Sequence, residues 1–221
     1  DNASKDGSPE SIMDLPCRII RNRKNKGFSH ACNQGAELAG TPYILFLNPD
    51  CVLEKGAVEK MIRVDADAVI PVIYNEDGLE SMGLAPSRAG MGFHVLSPGR
   101  KVFGGSGACF LIKKEVFISL GGFDEDFFAY YEDLDFFWRF NASGFTARLC
   151  PDARVWHRKK KRKNIYFLHR NKWLFILKNW RVFFILANLP FIIFYDFLSL
   201  GWAFLKGEGF EALRARRDVC I

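Results

Sequence analysis

A chain of 221 residues with 49% hydrophobic content can bury a full core as one large domain, or one domain with an appendage, and is not a disordered segment. The net charge of +6 is unevenly placed, because Arg158-Lys159-Lys160-Lys161-Arg162-Lys163 concentrates six cations between an α/β-patterned part and a hydrophobic tail. Six cysteines are scattered without a Cys-x-x-Cys pair, so they read as buried thiols in a reducing cytosol rather than zinc ligands or a disulfide frame.

The chain opens on Asp1-Asn2-Ala3-Ser4-Lys5-Asp6-Gly7-Ser8, with no Met and no signal peptide. This reads as a polar loop leaving a strand whose body lies upstream, in a fragment of a longer protein. Residues 17–20 then form a short strand, and 28–39 a helix with Asn25 and Ser29 as caps and Gly40 as its stop. The apolar run Tyr43-Ile44-Leu45-Phe46-Leu47 is the next strand, followed by a helix over 54–64 and a β-branched strand over 68–74. This βαβαβ alternation predicts an α/β fold with a mostly parallel sheet and helices on both faces. From 75 to 101 the pattern dissolves into a long surface loop. Regular structure resumes with strand 109–112, a helix over 113–120 stopped by Gly121-Gly122, a helix running to about Ser143, and a short strand over 151–157.

Three places along this series carry chemistry. Asn48-Pro49-Asp50 follows the strand at 43–47 and sets a carboxylate at a sheet edge, the edge at which open α/β sheets bind ligands. An Asp there can hold an oxygen-seeking divalent cation together with a diphosphate, although Asp and Pro are also ordinary turn residues. Glu132, Asp133 and Asp135 crowd the first turn of a helix among Phe and Tyr. The helix dipole alone accommodates such charges, yet apolar surroundings also favour a carboxylate with an altered proton affinity. Arg139 stands four residues beyond Asp135, within pairing reach across one turn. His157 ends a strand just before the basic run, where an imidazole serves as a surface residue or as a metal ligand.

In this order the segments resemble the inverting family 2 glycosyltransferases of the GT-A fold, in the rhamnosyltransferase-like branch. The resemblance is carried by residues 1–8; by Gly27-Phe28 followed by Asn33-Gln34-Gly35; by Asn48-Pro49-Asp50; by Gly107-Ala108-Cys109-Phe110-Leu111-Ile112 with Gly121-Gly122-Phe123-Asp124-Glu125; and by Tyr131-Glu132-Asp133-Leu134-Asp135 with Trp138-Arg139. It spans residues 1 to about 180 and implies a core at 1–157 that lacks its first βα unit, followed by a basic linker and hydrophobic helices at 158–221. It further implies that Asp1, Asn2, Gly27, Asn33 and Asn48 contact a nucleotide-sugar donor. Asp50 and His157 would bind Mg2+ or Mn2+, with Asn48 replacing the first acid of the family's Asp-x-Asp motif. Asp133 is the expected general base, drawing the proton from an acceptor hydroxyl. Glu132 and Gly107 are placed at the acceptor or donor sugar, with Asp135 and Arg139 bracing behind them; exchange of the roles of Glu132 and Asp133 stays open.

The tail differs in kind. Residues 164–180 form an aromatic, basic helix, and 182–205 contain only Asn188 and Asp196 as strongly polar members. That length could span a bilayer; Pro190, Asp196 and the tryptophans favour helices lying at the interface, and a hairpin packed on the core is the bland alternative. The expected partners are a nucleotide sugar, a glycan or polyprenyl-linked acceptor and a peripheral membrane contact, at the cytoplasmic face of the membrane. No nucleic-acid motif accompanies the basic run, so nucleic acid is not expected.

Overall fold

The computed structural model describes residues 1–99, 101–158 and 164–219. In chain order the elements are α1 (Phe28–Leu38), β1 (Tyr43–Leu47), β2 (Cys51–Leu53), α2 (Ala57–Ile62), β3 (Ala68–Asn75), β4 (Gly78–Ser81), β5 (Leu84–Pro86), β6 (Gly92–His94), β7 (Lys101–Val102), β8 (Cys109–Lys113), α3 (Lys114–Ser119), α4 (Glu132–Ala142), β9 (Ala147–His157), α5 (Ile165–Asn179), α6 (Val182–Leu205) and α7 (Gly209–Arg217).

Among the described residues the main sheet has seven strands, with β1-β8-β3-β9-β2 as its backbone path and β4 and β7 at its sides. β3 and β9 pair in parallel, whereas β8 is antiparallel to both β1 and β3. The expectation of a mostly parallel sheet is therefore corrected to a mixed one. The alternation of strand and helix did orient β1, β3 and β9 alike; β8 enters between β1 and β3 from the opposite direction.

Period-2 burial explains why each strand holds its place. Ile70 and Val72 of β3 and Phe110 and Ile112 of β8 face a core shared with Phe117, Phe123, Phe136, Phe137 and Phe140 under α3 and α4. Their alternates, Val69 and Leu111, face α2 through Ala57 and Met61. Helices thus cover both faces, as predicted. Phe123 lies 5.2 Å from Phe46 and from Phe117, ring centre to ring centre, and such aromatic pairs add about 0.5–1.5 kcal/mol each beyond the area they bury.

Two predicted elements fail. Residues 17–20 form no strand ladder; the segment is tied at its end to Asp1, whose amino group donates to Ile20 O at 2.6 Å while Asn22 N donates to Asp1 O at 3.0 Å. The supposed loop at 75–101 contains β4, β5 and β6, with β3 and β4 forming a hairpin around Asn75 and Gly78. These strands are three or four residues long, too short for a hydrophobic period to register. The helix predicted over 54–64 narrows to Ala57–Ile62. Helix α7 had no counterpart in the sequence reading. Of the cysteines, Cys51, Cys109 and Cys150 are buried thiols as expected, Cys32 is half-buried, Cys17 is exposed, and Cys220 lies outside the described residues.

The C-terminal helices share a core with the sheet domain, since Phe175, Ile176, Trp180 and Ile192 pack with Leu84, Phe127 and Leu134. Midway along α6, Asp196 accepts from Lys172 of α5 and, at 2.9 and 3.0 Å, from Arg216 of α7. The outer side of α6 stays bare: Phe183 is 83% exposed, Phe197 75% and Leu205 80%. The helix is long and apolar enough to cross a membrane. Lys159 to Lys163 of the predicted basic linker fall outside the described residues.

Candidate active site

Asn48 leaves the end of β1 with its backbone N–H on Ala108 O at 2.9 Å, which brings the Asn48-Pro49-Asp50 turn against the entry to β8. Pairing of β2 with β9 sets Cys51 opposite His157, so Asp50 emerges beside the imidazole, with its Oδ1 3.4 Å from His157 Nε2. The Asp50 carboxylate is 47% exposed and the His157 side chain 12%. Donor atoms of Asp50, Cys51 and His157 lie within 4.8 Å of one another. Burial pushes the Cys51 thiol up to about 12, and Asp50 and His157 offer an oxygen and a nitrogen donor. That set suits Mg2+ or Mn2+.

The opposite wall is the start of α4, and unusual backbone brings it there. Phe128, Tyr130 and Tyr131 all carry positive φ, between 61° and 71°, a conformation that costs a bulky residue on the order of 1–2 kcal/mol. Asn171 of α5, fully buried, donates to Phe127 O, Ala129 O and Tyr130 O at 2.7, 2.8 and 2.7 Å. From the other side the N-terminus of α1 grips the same segment, with Phe28 N and Ser29 N donating to Phe128 O at 2.6 and 3.3 Å. Gly27 makes that contact possible: at φ 96°, a Cβ there would meet Phe128 O at 2.6 Å.

This clamp aims Asp133 across the strand ends toward Gly107. The Gly107 and Leu134 N–H groups each donate to its carboxylate at 2.8 Å. Burial raises the Asp133 proton affinity, and those two N–H groups pull it back. Glu132 receives less help. It is buried, its Oε2 finds no hydrogen-bond partner among the described residues, and burial followed by the charge of Asp133 holds its carboxyl well above the usual range. Of two adjacent acids, Glu132 thus holds its proton more tightly and Asp133 loses its proton first.

Asn48, His157, Gly107, Glu132 and Asp133 line one cleft of about 410 Å³, together with Phe28, Tyr131 and Glu80. Asp50 touches that cleft through His157. The remaining predicted residues lie elsewhere. Asn33 closes both ends of its amide on Phe123, donating to its carbonyl at 2.8 Å and accepting from its N–H at 2.9 Å; it pins the Gly122-Phe123 turn and does not line the cleft. Gly27 serves the packing of α1 against Phe128. Asn2 donates to Gly27 O at 2.8 Å and accepts from Lys26 N at 3.1 Å, and Asp1 caps Ser4 N at 3.2 Å, so both organise the approach to α1 from outside the cleft. Arg139 donates to Asp135 at 2.8 and 2.9 Å, to Leu120 O and to Gly122 O. The Asp135–Arg139 pair is a brace between α4 and the turn after α3, and does not line the cleft. Sequence reasoning missed Glu80 and Asn171. Glu80 lay in a stretch read as loop, and Asn171 in a helix read only for its aromatic and basic character; a buried Asn amid apolar helical neighbours was the one available signal.

Residues 1–121 match the profile described as Glycosyl transferase family 2. N-acetylglucosaminyl-diphospho-decaprenol L-rhamnosyltransferase of Mycobacterium tuberculosis is 28% identical over 199 residues, covering 72% of this chain and 65% of that protein. The low-salt glycan biosynthesis hexosyltransferase Agl10 of Haloferax volcanii is 26% identical over 147 residues, 57% of this chain and 47% of that protein. The chain therefore spans about two thirds or less of the length of these curated relatives. Among solved structures, the mannosyltransferase PcManGT from Pyrobaculum calidifontis, in complex with GDP-Man and Mn2+, aligns with TM-score 0.58 at 18% identity over 100% of this chain and 69% of its own. Staphylococcal TarS (S. aureus) aligns with TM-score 0.52 at 16% identity, over 82% and 56%. The fold is that of the GT-A glycosyltransferases, and a match to more than half of its length places this chain in glycosyl transferase family 2.

Proposed function

We propose that the chain carries the catalytic cleft of an inverting glycosyltransferase, which moves a sugar from a nucleoside-diphosphate donor to a hydroxyl of a glycan or polyprenyl-linked acceptor. The observation that carries this reading is the convergence of Asp133 and His157 on one cleft, with Asp50 3.4 Å from the imidazole. Asp133, ionised and held by two N–H groups, takes the proton from the acceptor hydroxyl as that oxygen bonds to the anomeric carbon. The bond to the diphosphate breaks on the opposite face, so configuration inverts. Such a base contributes about two to four powers of ten. Glu132, keeping its proton and an unpartnered oxygen, orients a hydroxyl of the acceptor or donor sugar. Asp50 and His157 would hold Mg2+ or Mn2+, which when bound offsets charge on the diphosphate leaving group.

The C-terminal helices support a peripheral contact with the membrane at its cytoplasmic face, where a lipid-linked acceptor resides. Asp196 pairs with cations from both α5 and α7, which keeps both neighbours on one side of α6. That arrangement favours a helix lying in the interface over one that spans.

The test is transfer from nucleoside-diphosphate sugars by the full chain and by Asp133→Asn. The variant should keep Mn2+-dependent donor binding and lose about 100- to 10,000-fold in kcat. Turnover within threefold of the parent would remove Asp133 from the chemistry.

A further inference from the structure

We propose that Glu80 is a positioning residue: it fixes the ring orientation and tautomer of His157 so that Nε2 presents its lone pair to a divalent cation shared with Asp50. The inference rests on the cation reading above and deepens it.

Glu80 stands on β4, and its side chain is 4% exposed. Its Oε1 and Oε2 lie 3.1 and 3.2 Å from His157 Nδ1, while Asn75 Nδ2 donates to Oε2 at 3.3 Å from the other strand of the hairpin. His157 is thus held between two carboxylates of unequal environment: buried Glu80 on Nδ1 and half-exposed Asp50 on Nε2. A neutral imidazole has one N–H to give. Water solvates Asp50 readily, whereas Glu80 depends on protein donors, so the proton belongs on Nδ1 facing Glu80. The consequence lies at the other nitrogen. Nε2 then carries a bare lone pair 3.4 Å from the oxygen of half-exposed Asp50, and two electron-rich atoms face each other beside the cleft that His157 lines. A cation between them turns a repulsion into a pair of bonds. Carboxylate, imidazole and metal in series is a recurrent arrangement, and loss of its outer carboxylate costs about 10- to 100-fold in metal affinity.

Mn2+ titration followed by electron paramagnetic resonance of the free ion reads this without turnover. The parent should bind Mn2+, and Asp50→Ala should abolish that binding. Glu80→Ala should weaken it by about 10- to 100-fold, and Glu80→Gln, whose carbonyl oxygen still accepts from Nδ1–H, by less than Glu80→Ala. Imidazole 15N spectra of the metal-free parent should report the Nδ1–H tautomer; the Nε2–H tautomer would overturn the proposal even if Glu80→Ala failed to fold. Parent-like Mn2+ affinity in Glu80→Ala, with binding lost in Asp50→Ala, would refute the role of Glu80 and leave the cation site standing. Equal behaviour of parent and Asp50→Ala would remove the cation reading, and the role of Glu80 with it.

Discussion

Asn171 offers the sharpest test of how the cleft is built, because it does not itself line the cleft and yet holds the segment that carries the carboxylates. Its amide has two hydrogens for three carbonyls, that of buried Phe127 and those of half-buried Ala129 and Tyr130. Replacement by Ala strands those acceptors in a site from which Asn171 itself sees no solvent. At about 1–3 kcal/mol per stranded group, and at most two full hydrogen bonds lost, Asn171→Ala should cost about 2–5 kcal/mol. For a chain of this length that lowers Tm by roughly 5–15 °C. Asn171→Asp, nearly identical in shape, replaces the donor with an acceptor facing the same carbonyls and should cost at least as much. Urea unfolding at neutral pH measures both. In the folded fraction, kcat should fall more than the donor KM rises, because the backbone at Phe128, Tyr130 and Tyr131 relaxes from its positive φ and carries Asp133 off Gly107. Stability of Asn171→Ala within 1 kcal/mol of the parent would refute the claim that this amide restrains the segment.

Gly27→Ala should destabilise by about 2–4 kcal/mol, combining a disfavoured positive φ with overpacking against Phe128; a circular dichroism melt matching the parent would contradict it. Glu132 has a folded-state proton affinity raised above its unfolded value, so its contribution is present below about pH 4.3 and is lost as pH rises through the folded value. Glu132→Gln removes that loss: its Tm advantage over the parent should widen from pH 5 to pH 8, although Asp133 and Cys32 also face this carboxyl. An advantage that stays flat across that range would show that Glu132 is already ionised in the folded protein. Changing Phe183, Phe197 and Leu205 together to Ser should lower cosedimentation with anionic vesicles at least tenfold, since each fully buried apolar side chain is worth about 1.5–3 kcal/mol. Unchanged sedimentation would move the membrane contact off α6.

What the sequence made legible was whatever local physics dictates. The continuous apolar run at 43–47 became β1 residue for residue, and the helical period from Phe28 stopped within two residues of Gly40. Asp50, Asp133 and His157 stood out in the sequence because carboxylates at a strand end, an acidic helix start in apolar company and a strand-terminal His each carry a local signature. Asn33 and Gly27 show the complementary limit: a motif marks a residue as necessary without saying what it touches, and here they touch Phe123 and Phe128, some 90 to 100 positions away. Glu80 depends on a hairpin whose register shifts between Ile73 and Tyr74, and a shift of one residue reverses which face a side chain occupies. No local pattern encodes that.

The cleft therefore joins two constructions of different rigidity. Asp50 and His157 sit where short β2 meets β9, at the margin of the sheet, and their separation is set by strand pairing that the core enforces. Asp133 is held by a segment with three bulky residues in the left-handed region, a conformation that persists only because α1 and α5 restrain its carbonyls from opposite sides. The strain explains why the carboxylate reaches Gly107, since an ordinary helix entry would not fold Phe128 back onto the end of α1. It also makes α5 part of what holds Asp133 in place. The helix that carries Asn171 leads into α6 through an extended break at Trp180 and Arg181, and Phe127, Phe175, Ile176, Trp180 and Ile192 share one cluster, so a force on the bare face of α6 bears, through that packing, on the segment that holds Asp133.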